Sequence, residues 1–174
     1  KTIAVYNIME GKGELFVNDI NKKRMNILKE RLSKLNIKNI TIEYEKEKYK
    51  NYFDLVILDV PCSGLGIWRR KPEEIIKIDE DKIKQNTKVQ QKILVEATKF
   101  CKIGGIISYI TCSIIEEENE IQIDNFLKSN NQFKKVNLSN RHILNKEFFK
   151  EDNMSLTILP SDINSDGYFI CNMQ

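Results

Sequence analysis

The sequence predicts an α/β domain with a mostly parallel sheet that is closed by a C-terminal antiparallel hairpin. Runs of β-branched and aromatic residues alternate with segments of helical periodicity, and the central runs are apolar throughout. Alternation of this kind favours parallel pairing, in which strands are buried on both faces. Near the end of the chain, two strand-like runs flank a turn instead of a helix. This last feature predicts the hairpin.

The first third of the chain is expected to form two helices and three strands. Residues 1–10 place apolar side chains roughly on one helical face, and the Gly-Lys-Gly run after them is typical of a helix end. A short strand ends in Asp19, and residues 21–36 repeat apolar side chains at spacings of three and four. Residues 39–44 and 49–60 each contain a strand, the second with the apolar run of a buried position.

The remainder continues the alternation. Residues 73–101 are predicted to be mostly helical with a break near residues 79–81, and "KIGG" at 102–105 is interpreted as the end of that helix. A buried strand follows over 106–111. Residues 115–130 predict a helix whose acidic first turn suits the positive end of the helix dipole. Residues 156–173 contain the two strands of the hairpin.

Length and composition favour a single domain spanning residues 1–174. The 174 residues are 41% hydrophobic, and no run approaches the roughly 20 apolar residues of a membrane span. We expect a cytoplasmic protein without a membrane partner. The net charge of +3 permits an RNA partner without requiring one. The chain opens in mid-pattern, so we interpret it as truncated at its N-terminus.

The four cysteines do not predict a metal site. None form a Cys-x-x-Cys pair, and the chain has one histidine, so the closely spaced ligands of a zinc site are missing from the pattern. Cys101 follows a predicted helix and Cys171 lies in a late strand, where both are expected to be buried as small apolar residues. Cys62 and Cys112 differ, because each is followed by serine at a predicted strand end.

Three predicted strand ends carry polar groups, and in open α/β sheets ligands bind beyond such ends. Asp19 is a candidate ribose ligand, and the alternative is that it caps the next helix. Asp59 follows an apolar run and precedes Cys62 by three residues. If the second and third of these strands are neighbours, Cys62 and Cys112 lie at one edge of the sheet near Asp59.

A thiol, a carboxylate and a flat base are together what methylation at cytosine C5 requires. C5 is too electron-poor to attack a methyl donor, and a thiolate that adds to C6 makes it nucleophilic. A carboxylic acid at the N3 edge stabilises the charge that develops, and a second thiol can assist the final release. A lone buried thiol at a strand end is more often a packing feature, but the repeated Cys-Ser pair with Asp59 favours the functional interpretation.

These motifs resemble those of the NOL1/NOP2/Sun family of RNA cytosine-C5 methyltransferases, which includes the bacterial Sun (Fmu) 16S rRNA methyltransferases. "LDVPCSGLG" resembles the family motif D-A-P-C-S-G-x-G, and "YITCSI" resembles Y-S-T-C-S. "EEENE", "RRKPE" and the late "LP…DGYF" also fit the family, in order along the chain. The resemblance implies a Rossmann-like S-adenosylmethionine-dependent methyltransferase fold that acts on RNA.

The resemblance also implies residue roles. It assigns Cys112 as the nucleophile on C6, Cys62 as the residue that assists release, and Asp59 as a contact to the cytosine edge. It assigns Asp19 to the cofactor ribose, and the full set of implied cofactor contacts is Lys1, Asp19, Asp59 and Pro61. Ribosomal RNA, 16S in particular, is the favoured substrate, with tRNA as the alternative.

The sequence departs from the family pattern in two places. Of the Gly-rich cofactor loop C-A-A-P-G-G-K-T, Lys1 and Thr2 alone remain, and the strand before it is missing. We therefore expect these 174 residues by themselves to bind S-adenosylmethionine weakly or not at all. The family's adenine-contacting Asp is also missing, and Glu43 and Glu45 are both candidates to replace it.

The segment "WRRKP" is basic and contains an aromatic residue next to the first Cys motif. We interpret Arg69, Arg70 and Lys71 as RNA-binding residues, with Trp68 available for base stacking. The alternative is a solvated loop with the indole packed against the protein. Two other classes remain open: a non-catalytic RNA-binding module that keeps the fold, and a methyltransferase acting on a small molecule or a protein.

Overall fold

The computed structural model describes residues 1–42, 45–76, 78–137, 154–162 and 164–174. The chain forms two compact units, Lys1–Lys48 and Tyr49–Gln174. The single domain predicted over residues 1–174 stays a prediction. No helix among the described residues is both long enough and apolar enough to cross a membrane.

The first unit contains two helices and two short parallel strands. Its elements are α1 (Thr2–Ile8), β1 (Leu15–Val17), α2 (Lys22–Lys34) and β2 (Ile40–Ile42), and β1 pairs with β2. Asn21 caps α2, because its side chain accepts hydrogen bonds from two backbone N–H groups of the first turn. The apolar face of α2 buries Met25 and Leu32, as the spacing predicted.

The second unit is built on a four-stranded mixed sheet. Its elements are β3 (Phe53–Asp59), α3 (Glu73–Ile76), α4 (Glu80–Thr98), β4 (Cys101–Thr111), α5 (Glu120–Ser129), β5 (Ser155–Ile158) and β6 (Tyr168–Met173). The strand order is β3-β4-β6-β5, with β3 and β4 parallel and the other two pairings antiparallel. The predicted C-terminal hairpin is confirmed, and the parallel part of this sheet is the β3–β4 pair that carries both Cys-Ser motifs.

The core of the second unit lies around β4 and β6. Ile107 and Tyr109 of β4 are completely buried, as are Ile123 and Phe126 of α5. Burial of these side chains removes a large apolar area from water and fixes the ends of β3 and β4 relative to each other. Cys101 and Cys171 are buried members of the same cluster, as the sequence predicted.

The helix predicted over residues 73–101 differs from the structure at its C-terminal end. The break near residue 79 is present, because α3 ends at Ile76 and α4 begins at Glu80. However, α4 ends at Thr98, and "KIGG" lies inside β4 and does not end a helix. Phe53 pairs with Cys101 and Leu55 pairs with Ile106. Residues 102–105 of β4 therefore lie opposite a single residue of β3 and form a bulge. Gly104 has φ +77°, which a glycine adopts without strain, and this explains why the run resembles a helix stop.

The acidic run before α5 also differs from the prediction. Residues 116–118 form a short 3-10 turn, and α5 begins at Glu120. Glu118 is completely buried, whereas Glu116 and Glu117 are exposed. The carboxylate of Glu118 therefore has partners inside the protein instead of serving the helix dipole at the surface.

Candidate active site

The two Cys-Ser pairs meet at the carboxyl ends of β3 and β4. The Sγ atoms of Cys62 and Cys112 lie 3.3 Å apart, and the Oγ of Ser63 donates a hydrogen bond to the Oγ of Ser113 at 3.0 Å. Neither cysteine is in a disulfide bond, and both are half-buried. Each residue of one pair therefore contacts its counterpart in the other, which answers why the chain uses the same dipeptide at two neighbouring strand ends.

The loop after β3 is shaped so that its cysteine reaches the loop after β4. Asp59 pairs with Ile110 in the sheet, so Cys62 lies three residues beyond the pairing and Cys112 lies two residues beyond it. Gly64 takes a left-handed conformation with φ +75°, which turns the chain back towards β4.

Gly66 fixes this turn against two other segments. Its N–H donates to the carbonyl of Cys112 at 2.8 Å, and its carbonyl accepts from the N–H of Gly167 at 2.7 Å. A Cβ atom at Gly66 would lie 2.3 Å from the Gly167 oxygen, so the close approach requires glycine. The backbone of Cys112 is thereby held by the loop that carries Cys62.

The β4 end has its own buried network of polar side chains. Thr111 Oγ1 donates to Asn119 Oδ1 at 2.6 Å, and Asn119 Nδ2 donates to the carbonyl of Ser113 at 3.0 Å. The N–H of Ile115 donates to Ser113 Oγ at 3.0 Å. Because all three polar side chains in this network are buried and partnered, the loop that carries Cys112 is rigidly defined.

A second network surrounds the buried carboxylate of Glu118. Its Oε1 accepts from the N–H of Ser63 at 2.9 Å, from Asn86 Nδ2 at 3.0 Å and from Gln90 Nε2 at 3.3 Å. Gln90 Nε2 also donates to the carbonyl of Pro61 at 2.9 Å. The Tyr109 hydroxyl donates to the Glu118 backbone carbonyl at 2.6 Å. The network connects α4, the Cys62 loop and β4.

The short distance between the thiols changes the protonation of Cys62. The hydrogen bond with Cys112 raises the pKa of Cys62 above its ordinary value, and burial raises it further. A second negative charge beside the first is unfavourable at this separation. Cys62 therefore keeps its proton and is able to donate it in a hydrogen bond to the sulfur of Cys112.

The predicted cofactor residues of the second unit lie at the end of β3. Asp59 is the last residue of the strand and is exposed at the lip of the sheet. Pro61 is also exposed, with its carbonyl directed to Gln90. The structure thus brings Asp59, Pro61 and Cys62 together within one turn after β3.

Asp19 of the first unit does not cap α2, because Asn21 does. The alternative interpretation of Asp19 as the helix cap is therefore wrong. Its Oδ1 accepts from the N–H of Asn21 at 2.8 Å, and its Oδ2 lies 3.6 Å from Arg24 Nη1. A carboxylate has about four lone-pair sites, so Asp19 retains acceptors for ribose hydroxyls. Its chemistry fits the ribose role.

The other candidate cofactor residues of the first unit are Lys1, Glu43 and Glu45. Lys1 is exposed at the start of α1. Glu45 forms an exposed ion pair with Lys48 at 2.9 Å, and Glu43 lies outside the described residues. No group of three or more His, Cys, Asp or Glu side chains within the described ranges is arranged to hold a metal ion.

The basic segment after the first Cys motif divides into two kinds of residue. Arg70 forms a bidentate ion pair with Asp166, whose side chain is 12% exposed. Arg69 and Lys71 are exposed, and Trp68 is 46% exposed, so the indole is not packed down as the alternative interpretation required. Arg70 thus ties this segment to the loop before β6.

Sequence reasoning missed most of the residues that hold the thiols in place. No motif in the sequence indicates Gln90, Asn86 or Asn119, and the pattern predicts Glu118 in the acidic first turn of a helix. No spacing signal separates Glu118 from its acidic neighbours. The "EEENE" motif was recognised, but the motif by itself does not show which of its carboxylates is buried.

A family model for the 16S rRNA methyltransferase RsmB/F matches residues 1–174, the whole chain. The chain belongs to the RsmB/F family. This confirms the resemblance predicted from the two Cys-Ser motifs.

Relatives of this chain include enzymes that are named for rRNA and for tRNA. It is 31% identical over 181 residues to the probable ribosomal RNA small subunit methyltransferase B of Bacillus subtilis. It is 27% identical over 185 residues to the tRNA (cytosine(49)-C(5))-methyltransferase of Pyrococcus abyssi. Both matches include all of this chain, which spans 40% of the first relative and 60% of the second.

Solved structures confirm the α/β fold class that the sequence predicts for this chain. The crystal structure of PH0851 is 29% identical with a TM-score of 0.87, covering 100% of this chain and 40% of that one. NSun6 from Pyrococcus horikoshii, solved with SFG, is 22% identical with a TM-score of 0.80, covering 99% of this chain and 44% of that one. The Rossmann-like methyltransferase fold, with a parallel part and a C-terminal antiparallel hairpin, is therefore established for this chain.

Proposed function

We propose that this protein methylates C5 of a cytosine in RNA, with Cys112 as the covalent nucleophile and Cys62 as the residue that assists release. The observation that carries the proposal is the 3.3 Å separation of the two sulfurs at the ends of neighbouring parallel strands. One thiol suffices to activate a cytosine. A second thiol in direct contact suits a reaction in which the first sulfur must later leave.

In the first stage, the Cys112 thiolate adds to C6 of the cytosine. The electron pair of the C5–C6 double bond is displaced towards C5 and the ring, and C5 becomes nucleophilic. Asp59, exposed at the lip of the sheet, is the proposed contact to the N3 edge, where its carboxylic acid form donates a hydrogen bond that stabilises the developing negative charge. The target base must be unstacked or flipped out of the RNA to reach these groups.

In the last stage, the C5 proton passes to water, the C5–H electron pair forms the C5–C6 double bond, and the C6–S bond breaks. The electron pair of that bond returns to the Cys112 sulfur, which regains its negative charge. Cys62 stabilises the departing sulfur by hydrogen bonding, and its raised pKa keeps the required proton on it. A neutral donor in a half-buried site is more effective here than it would be in water.

S-adenosylmethionine is the proposed methyl donor and would supply the methyl group to C5. Support comes from the RsmB/F family and from NSun6, which was solved with SFG, an S-adenosylmethionine analogue. In the first unit, Asp19 is the proposed ribose ligand and Lys1 a further contact. In the second unit, the proposed contacts are Asp59 and Pro61.

The proposed substrate is ribosomal RNA, 16S in particular, in keeping with the family description and the Bacillus subtilis relative. The Pyrococcus abyssi relative, which is named a tRNA enzyme, supports tRNA as the second candidate. Arg69 and Lys71 are the proposed phosphate contacts, and Trp68 is a stacking surface for a base.

Trapping of a covalent protein–RNA adduct tests the proposal. The protein expressed from its complete gene, with Cys62→Ala and Cys112→Ala variants, is incubated with S-adenosylmethionine and total ribosomal RNA and then run on a denaturing gel. We expect a heat-stable protein–RNA band from Cys62→Ala, because addition proceeds while release is impaired. Cys112→Ala should give no band and no 5-methylcytosine.

Three other outcomes change the assignment. A band from Cys112→Ala alone would exchange the roles of the two cysteines. A band that forms with tRNA and not with ribosomal RNA would establish the second substrate. Absence of both band and 5-methylcytosine with either RNA, for the unmutated protein as well, would favour a non-catalytic RNA-binding module.

A further inference from the structure

Cys62 is held by hydrogen bonds on both sides along the chain. The carbonyl of Pro61, just before it, accepts from Gln90 Nε2 at 2.9 Å. The N–H of Ser63, just after it, donates to both carboxylate oxygens of Glu118, at 2.9 and 3.0 Å. Gln90 and Glu118 are themselves joined at 3.3 Å. The two peptide groups that flank Cys62 are thus anchored to one buried pair of side chains.

Glu118 is suited to this task because it accepts and does not donate. Its carboxylate is completely buried and meets three donors, from Ser63, Asn86 and Gln90. Within the described residues it has no ion pair with Lys or Arg, so its role is not that of a salt bridge. A buried carboxylate that lacks a cation is costly unless several N–H groups satisfy it, and these donors do so.

The orientation of Gln90 supports the same interpretation. Gln90 is completely buried, and its Oε1 has no hydrogen-bond partner among the described residues. Turning the amide over would place Oε1 against two acceptors, Pro61 O and Glu118 Oε1, and both hydrogen bonds would be lost. The side chain therefore leaves one acceptor unsatisfied in order to hold the backbone before Cys62 and the carboxylate of Glu118.

Cys112 is positioned by other groups. Its carbonyl accepts from Gly66, and the next residue, Ser113, is fixed by Thr111 and Asn119. None of these contacts uses the carboxylate of Glu118. The Cys112 segment is joined to the Cys62 loop through Gly66 and Ser63, but it keeps the contacts of Thr111 and Asn119, so loss of that carboxylate should displace Cys62 more than Cys112.

We propose that Glu118, acting with Gln90, is a positioning residue that holds the Cys62 thiol against the Cys112 sulfur and so controls release of the methylated RNA. This inference rests on the proposed function. In the release step the C5 proton passes to water, the C5–H electron pair forms the C5–C6 double bond, and the C6–S electron pair returns to the Cys112 sulfur. Cys62 donates its hydrogen bond to that sulfur, and a displaced Cys62 does so poorly.

Single-turnover kinetics with Glu118→Gln tests the inference. The substitution replaces one acceptor oxygen with an NH₂ group among donors, and the matched control is Glu117→Gln, one residue away and exposed. With the protein expressed from its complete gene, the RNA substrate and S-adenosylmethionine, formation and decay of the covalent adduct are followed on denaturing gels. Decay should slow by about tenfold or more in Glu118→Gln, the size expected for loss of a hydrogen bond to a charged group.

Formation of the adduct should stay within about threefold of the unmutated rate, which is under 1 kcal/mol of barrier. A merely structural role would lower formation and decay together through a smaller folded fraction. Equal slowing of both steps, or no change in either, would overturn the inference. Glu117→Gln should leave both rates unchanged.

Gln90→Met provides the second variant in case Glu118→Gln does not fold. Methionine fills nearly the same volume but cannot donate to Pro61 or Glu118. Decay should again slow selectively, and equal or absent effects would overturn the inference in this variant as well.

Cys62→Ala run in parallel separates this inference from the proposed function. If Cys62→Ala accumulates adduct and Glu118→Gln and Gln90→Met do not slow decay, the positioning role fails while the proposed function stands. If Cys62→Ala gives no adduct, both fail.

Discussion

At the scale of single residues, the site depends on the short distance between the sulfur atoms of Cys62 and Cys112. Cys62 and Cys112 are both half-buried cysteines in similar motifs, so their sequences alone do not explain different chemistry. What separates them is the environment of each backbone segment and the proton that Cys62 retains through its hydrogen bond with Cys112. The raised pKa is therefore a property of the pair.

The raised pKa predicts how Cys62 reacts with iodoacetamide. Only the thiolate is alkylated, so a raised pKa makes alkylation of Cys62 slow at a given pH. In Cys112→Ala the largest cause of the shift is gone, so the pKa of Cys62 falls and the midpoint of its alkylation rate moves to lower pH. Peptide mapping by mass spectrometry across a pH series measures this midpoint.

Burial contributes to the same shift, so accessibility needs its own control. Removal of the Cys112 sulfur also opens space beside Cys62. A wider opening would raise the plateau of the alkylation rate without moving its midpoint. A higher plateau with an unmoved midpoint would therefore contradict the assigned cause.

At the scale of elements, the parallel pairing of β3 and β4 places both cysteines, and this was predictable. Two apolar runs with polar residues at their ends favour neighbouring strands, and the repeated Cys-Ser pair indicated a shared edge. The burial predicted for β3 is wrong, because β3 is the edge strand of this sheet and its Leu55 and Ile57 are exposed. The supporting network was not predictable, because burial of Glu118 and Gln90 depends on how α4 and the turn before α5 pack over the loop of Cys62. Helical periodicity gives the faces of α4 but not the partners of its polar side chains.

Contacts with distant residues also decide the structure of "KIGG" and "WRRKP", and the sequence of each run does not show them. Glycines end helices and also form bulges, so the sequence of 102–105 fits both, and pairing with β3 decides between them. In "WRRKP" the two arginines are adjacent and chemically identical. Asp166, distant in sequence, is what makes Arg70 different from Arg69.

This difference predicts unequal effects on RNA binding. Asp166 already compensates the charge of Arg70, so Arg69→Ala should reduce the slope of log K against log salt by about 0.7, the value for one phosphate contact on a single strand. Arg70→Ala should change the slope by much less. Fluorescence anisotropy with a single-stranded RNA at several salt concentrations measures both, and the two variants are matched in size and charge.

Equal reductions in slope for Arg69→Ala and Arg70→Ala would show that the ion pair with Asp166 opens when RNA binds. A slope unchanged by Arg69→Ala would remove this segment from the RNA surface. Circular dichroism on both variants separates either result from a loss of fold.

At the scale of the whole molecule, the two units differ in how much they bury. Apart from residues 43–44, which are outside the described ranges, Met25 and Leu32 are the buried side chains of the first unit. The second unit has an apolar cluster that joins β4, β6, α4 and α5. Since apolar burial is the main stabilising contribution to folding, the second unit should hold most of the stability.

Hydrogen exchange on the 174-residue chain tests this uneven distribution. Amides of α2 and β1 should exchange faster than those of β4 and β6, because segments with few buried contacts open at a smaller free-energy cost. Mass spectrometry of peptic peptides resolves the two units. Equal protection of α2 and β4 would mean that the chain unfolds as one cooperative body.

The direct contact between the two Cys-Ser dipeptides limits where related sequences can gain or lose residues. Between Gly66 and Cys101 the chain forms α3, α4 and their connections, and the number of residues in this stretch does not set the distance between the thiols. Insertions between α3 and α4 should therefore be tolerated. A slip of one residue between β3 and β4 would instead shift one cysteine relative to the other, and it would reverse the faces of the slipped strand. Relatives that vary in length between the motifs but not within them would follow from this constraint alone.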